Sequence, residues 1–313
     1  MQNSLLKFLL RGLALVSILI GMVFAILAAN SDLIPSKSYI LSDFKNVFLP
    51  TAHADLIVLG NSKALCSVSS KVLQENLHLV AYNLAYEAAD LEFSRKTLEA
   101  YLSRCRVKPK YCLLEVSWFS FNPNRTAFPE DISVCLKFKE YRRIFCPNTP
   151  YSLAFKFARS AAILWRRCFG GDPQPGEWGT DAASARREYL PFSKTEMEKS
   201  FPGYLAGIDP RLLREFYEII TLCEKEKVTL ILYTAPEAPE YTALQKDRTR
   251  IREEIGKAVR EHRLRYLDFT AEGTCWDRSL AANLLDSHHV RDNRQFTGYF
   301  LQSLLGNNID LRR

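Results

Sequence analysis

No Cys-x-x-Cys pair occurs in these 313 residues, and the five histidines do not interleave with the eight cysteines at the spacing zinc sites use. No metal ion and no cofactor is therefore expected. Neither an internal repeat nor a low-complexity tract is present. Beyond about residue 30 there is no further uncharged stretch long enough to span a bilayer, since residues 161–164 are soon followed by Arg166 and Arg167. What is present is an ordinary composition, 47% hydrophobic and 25% charged, which supplies a core and excludes a disordered chain.

The one local deviation lies at the N-terminus, where residues 12–29 read GLALVSILIGMVFAILAA without a charge. A helix of that length rises about 1.5 Å per residue and would cover most of a hydrocarbon layer roughly 30 Å thick. Lys7 and Arg11 precede it, which favours a cytoplasmic N-terminus. The run predicts an uncleaved membrane anchor over residues 1–30, because it exceeds the ~7–15 residues of a signal-peptide core. A cleavable signal peptide is the competing reading, with Ala25, Ala28 and Ala29 where a cleavage site would fall. Both readings export the remainder, first a tether over residues 31–53 and then a domain over 54–313.

An even cysteine count in an exported domain permits disulfides. Cys105 with Cys112, and Cys135 with Cys146, are near in sequence, but spacing does not fix the pairing. The net charge of +7 includes a mid-chain group (Lys156, Arg159, Arg166, Arg167, Arg186, Arg187). These read as solvated helix faces, with contact to anionic lipid or an acidic glycan as the sharper alternative. An exported location argues against nucleic acid.

Residues 54–59 (ADLIVL) form a short buried strand that ends in Gly60-Asn61-Ser62. A helix capped by Ser69 or Ser70 follows, then a strand over 79–84, an amphipathic helix over 90–105 and a strand over 111–119. This β–α–β–α–β order with short connections predicts a parallel sheet covered by helices on both faces. Prolines and the GGDPQPGEWG stretch mark an insertion over about 120–207. The alternation resumes with Pro210 at a helix start, a strand over 228–233, a charged helix over 241–262, a strand over 264–269 and a last helix over 293–305. The fold class expected is flavodoxin-like: three layers, α/β/α, around a parallel sheet of about five strands.

Ligands collect at the carboxyl ends of strands in such sheets, and Ser62 lies just past one. A lone serine there is more readily a helix cap. Asp286-Ser287-His288-His289 adds a carboxylate three residues before a histidine, close enough on one turn to fix the ring tautomer. Together these residues suggest a nucleophile, an orienting acid and a base. Cys66 reads as a buried small hydrophobe, and Glu115 and Asp268 as satisfied structural carboxylates.

The segment ADLIVLGNSKAL (residues 54–65) resembles the first block of the SGNH/GDSL hydrolases, which carries Gly-Asn-Ser in some branches. LDSHHVRDN (285–293) resembles their last block, in which Asp-x-x-His supplies the other two triad members. VAYNLAYEAADLEFSRKTLEAYL (80–102) is similar to the second block of membrane-anchored relatives, the branch that includes the teichoic-acid D-alanylation protein DltD. The resemblance covers about residues 54–119 and 228–305. It implies Ser62 as nucleophile, His289 rather than His288 as base, and Asp286 as its orienting partner. It also implies oxyanion donors near the Lys63 N–H and Ala85, and Asn83 is a further polar candidate beside the site. Arg291 is a candidate for a substrate anion, with a surface ion pair the more ordinary expectation. Two departures stand out: Ala85 and Ala88 occupy the region where the second block has glycine, and the third-block asparagine has no match besides Asn122 and Asn124. The implied activity is that of a periplasmic-side serine esterase or O-acyltransferase acting on a cell-envelope acyl ester or glycan, beside a membrane-bound O-acyltransferase. A catalytically inactive relative that binds polysaccharide or a membrane partner is the rival.

Overall fold

The computed structural model describes residues 53–122 except 87, 88 and 104, residues 207–270 except 244 and 246, and 283, 284, 286, 289–307, 309 and 311, with isolated positions 12, 17, 18, 21, 22 and 195. The expected anchor, apart from those isolated positions, and nearly all of the tether and of the 120–207 insertion lie outside the described residues. Among the described residues no helix is long and apolar enough to cross a membrane. Contacts divide the chain into two units, and the unit of residues 46–129 and 176–313 carries the sheet.

That sheet has five strands, all parallel: β1 (Leu56–Leu59), β2 (Ala81–Asn83), β3 (Tyr111–Glu115), β4 (Thr229–Thr234) and β5 (Arg265–Asp268). Their spatial order is β2-β1-β3-β4-β5, the flavodoxin-like arrangement. Strand β1 is uniformly apolar and fully buried, as expected of a central strand covered on both faces. At the edge, β5 exposes Arg265 and leaves Tyr266 and Asp268 half-buried.

The helices are α1 (Ser62–Ser67), α2 (Ser70–Leu77), α3 (Leu91–Leu102), α4 (Pro210–Glu226), α5 (Pro239–Thr242), α6 (Arg248–His262) and α7 (Asn293–Gly306). On one face α3 packs against α4 through Arg95, which pairs with Glu215 and Glu218. Helix α6 joins that layer through His262, 2.8 Å from Glu224. On the other face α7 meets α1 and α2. The Ser69 N–H donates to Thr297 Oγ1 (2.8 Å), and Phe296 and Phe300 stack edge-on against Phe269 and Tyr233 at 5.1 and 5.2 Å. Right-handed crossovers demand this division: the step from β1 to β2 runs opposite to the others, so its helices lie on the opposite face.

Two expected elements differ. The strand expected over 111–119 stops at Glu115, and a 3-10 turn over Trp118–Phe121 follows. There the Ser117 N–H turns to the Ser120 hydroxyl (3.2 Å). The helix expected over 241–262 is two helices, because the Gln245 side chain turns inward to donate to Glu237 (2.7 Å). Of the suggested cysteine pairs, Cys105 and Cys112 make no disulfide, and the Cys112 thiol lies against Cys223. Cys135 and Cys146 lie outside the described residues.

Short polar residues cap five of these helices with their side chains: Asn61 for α1, Ser69 for α2, Asp90 for α3, Asp209 for α4 and Asp292 for α7. Asp90 Oδ1 accepts the Phe93 N–H at 2.8 Å, yet burial pushes its carboxyl up from the ordinary 3.8 to about 6. The folded chain thus holds this proton more tightly than the unfolded one. The stabilisation is complete below about pH 4 and is lost as pH rises through about 6. Asp90→Asn keeps the cap acceptor and removes the titration. Between pH 4 and 7 the unmodified chain is expected to lose roughly 2 kcal/mol relative to the Asn variant, read from denaturant midpoints at each pH.

Candidate active site

Strand β1 delivers the chain to Gly60, whose φ of +142° disfavours any side chain. A Cβ there would also lie 2.8 Å from the Cβ atoms of both Ala64 and Glu115. The bend lets α1 begin directly above the strand end. Gly60→Ala is expected to cost about 2–5 kcal/mol through strain and overpacking, measured by denaturant unfolding. Asn61 then caps α1, its Oδ1 accepting the Lys63 N–H at 2.8 Å, and Ser62 takes the first helical position.

The opposite half of the site comes from the other end of the chain. An antiparallel bridge between Leu284 and Val290 closes a loop around Asp286 and His289. Asp286 holds His289 twice: Oδ1 accepts its backbone N–H (2.9 Å) and Oδ2 faces Nδ1 (2.7 Å). An ionised carboxylate accepts only, so Nδ1 carries the proton and Nε2 is left as an acceptor. His289 Nε2 lies 2.8 Å from Ser62 Oγ. Helix α7 begins four residues after His289, capped by Asp292. Through Thr297 it is fastened to the α1–α2 junction, so the imidazole is brought to the serine from the helix layer that also holds α1. His289 is 9% exposed and Ser62 half-buried, which leaves the hydroxyl within reach of a substrate.

The residues expected around an oxyanion are engaged elsewhere. The Lys63 N–H is taken by Asn61. The Ala85 N–H donates to Asn83 Oδ1 (3.0 Å), and Asn83 Nδ2 donates to the carbonyls of Val68 (2.8 Å) and Ala64 (3.3 Å). Arg291 Nε donates to the Leu284 carbonyl at 3.2 Å and so supports the histidine loop from behind. The Ser62 N–H, in contrast, has no acceptor among the described residues. His288 and Ala88 lie outside the described residues. Cys66 is buried in α1, and among the described residues no cluster of ligating side chains could hold a metal ion.

A buried charge cluster beneath α1 was not expected. Lys63 is 1% exposed, and its Nζ pairs with Glu237 of the β4–α5 loop, itself 2% exposed. Glu115 stands beside it at the end of β3. Asp268 is satisfied as expected, by Arg252 (2.6 Å) and Thr270. Glu115 is not: both its oxygens are buried without a hydrogen bond of normal geometry, although Ser117, the Ala235 N–H and Asn61 face them. Burial pushes the Glu115 carboxyl up, against the pull of Lys63 and those donors. The sequence did hold one signal for the cluster: a lysine directly after the candidate nucleophile, on a short buried helix, requires a counter-ion.

No family model matches this chain, and no curated protein matches it. Among solved structures it is similar to a Bacteroides fragilis protein described as a "putative acylhydrolase", at 8% identity and a TM-score of 0.42, over 87% of this chain and 95% of that one. A likeness so distant transfers no activity. The chemistry rests on the chain's own residues.

Proposed function

We infer that the chain is a serine hydrolase or O-acyltransferase of the SGNH type, with Ser62, His289 and Asp286 as its triad. The observation that carries this reading is the continuous hydrogen-bonded line from Asp286 through His289 to Ser62, at the carboxyl end of β1. Ser62 Oγ attacks an ester or thioester carbonyl while His289 Nε2 takes its proton, and Asp286 stabilises the imidazolium. The Ser62 N–H donates to the developing oxyanion. The leaving group departs with the proton from His289. Water or a glycan hydroxyl then attacks the acyl-enzyme with His289 again as base. The apolar N-terminal run supports an anchored, extracytoplasmic protein, and hence an envelope acyl ester as substrate. The likeness of residues 80–102 to the membrane-anchored branch supports a membrane-bound O-acyltransferase as partner.

A second reading has its own observation. With the amides of Lys63 and Ala85 both engaged, an oxyanion would rely on Ser62's own N–H, which favours a catalytically silent relative that binds polysaccharide or a membrane partner. A fluorophosphonate probe separates the two. Phosphonylation mapped to the Ser62 peptide supports the enzyme, and an unlabelled, folded protein overturns it in favour of the binding module.

A further inference from the structure

Helix α1 has six residues, too few to hold its own geometry in water. Its place is set by what grips it. Asn83 holds its C-terminal end through the Ala64 and Val68 carbonyls, and Thr297 holds the junction that follows. The first turn, where Ser62 sits, is gripped differently. Lys63 reaches down to Glu237, whose other oxygen accepts from Gln245 Nε2 at 2.7 Å, and its Nζ lies 5.7 Å from the centre of the Tyr241 ring.

A pair this deeply buried is a poor device for stability. Desolvation costs several kcal/mol per ion, and apolar side chains of the same volume commonly stabilise as well or better. What an ion pair supplies that an apolar contact does not is direction. We propose that the buried Lys63–Glu237 pair is a positioning device for the nucleophile, pinning the first turn of α1 to the β4–α5 loop so that Ser62 Oγ stays in line with His289 Nε2. This rests on the reading of Ser62 as nucleophile. Neither Lys63 nor Glu237 touches the reacting atoms. Glu115, the second carboxyl beside the ammonium, is the other counter-ion within reach, so a chain lacking the Glu237 charge still offers Lys63 a partner.

The test compares wild type with Glu237→Gln and with the double variant Lys63→Met/Glu237→Gln, which removes both charges and keeps an acceptor for Gln245. Two quantities are read on protein shown folded by its unfolding transition: kcat and KM for a p-nitrophenyl ester, and the long-range 1H–15N signals of the His289 ring. Positioning predicts a 10- to 100-fold fall in kcat with KM within about twofold, because a displacement near 1 Å costs about that much. It also predicts that the Nε2 signal moves as the serine donor shifts. A purely structural pair predicts a changed unfolding midpoint with kcat and the ring signals as in wild type, and that result overturns the proposal. If the wild-type chain shows no Ser62-dependent turnover, the enzymatic reading fails by itself. The His289 signals then decide: unmoved in the double variant, they overturn the positioning role as well.

Discussion

Ser62→Ala is expected to lower ester turnover by roughly 10⁴- to 10⁶-fold while leaving the unfolding midpoint nearly unchanged. The two halves of that expectation have separate causes. Ser62 Oγ is tied to the rest of the molecule by its hydrogen bond with His289, and the residue is half-buried, so truncation opens no large cavity. Among the described residues beside it, none is placed to substitute. Cys66 lies a turn further along α1, buried, and Ser67 Oγ is 3.4 Å from Tyr233 Oη on the core side. Turnover of a p-nitrophenyl ester by purified wild type and variant, with thermal unfolding of both, is the measurement. Activity that survives at more than a hundredth of wild type would remove Ser62 from the mechanism.

Asp286→Asn is expected to cost roughly 10³- to 10⁴-fold in kcat with little change in KM. The carboxylate accepts two N–H groups of His289, at 2.9 and 2.7 Å. An asparagine has one oxygen for the two, and its NH₂ group, turned toward the ring, forces the proton onto Nε2. Ser62 then faces a donor instead of a base. The backbone contact is also weakened, so a destabilisation of about 1–3 kcal/mol accompanies the kinetic effect. A fall in kcat below tenfold, with the loop intact, would mean that Asp286 shapes the turn and does not direct the proton.

The parts of this architecture legible in the sequence are those set by local pattern. LIVL between turn residues can only be a covered strand, and Asp209-Pro210 and Asp292-Asn293 announce helix starts through side chains that accept the first amides. Asp286 and His289 are three residues apart, so a single turn brings them together. The contact to Ser62 was readable only by combining Ser62's place after the first strand with the family resemblance. What stayed hidden depends on partners distant in sequence. Asn83 looks like a polar group beside the site, but its amide is spent on two carbonyls of the preceding connection. Gln245 has the character of a solvent-facing helical residue, yet Glu237 draws it inward and breaks the helix there. Lys63 offers an amide by position and a buried cation in fact, because its side chain falls beneath α1 while its N–H is claimed by Asn61. Glu115 ends an apolar strand, where a carboxylate normally finds donors, and Lys63 has turned to Glu237 instead.

The serine and the imidazole stand 227 residues apart in the chain, and α7 must dock before they meet. A polypeptide that has not yet supplied α7 therefore carries a serine that is, on the proposed reading, chemically ordinary. Reactive power arrives with α7, so fragments cut short before that helix would carry the serine and hydrolyse nothing.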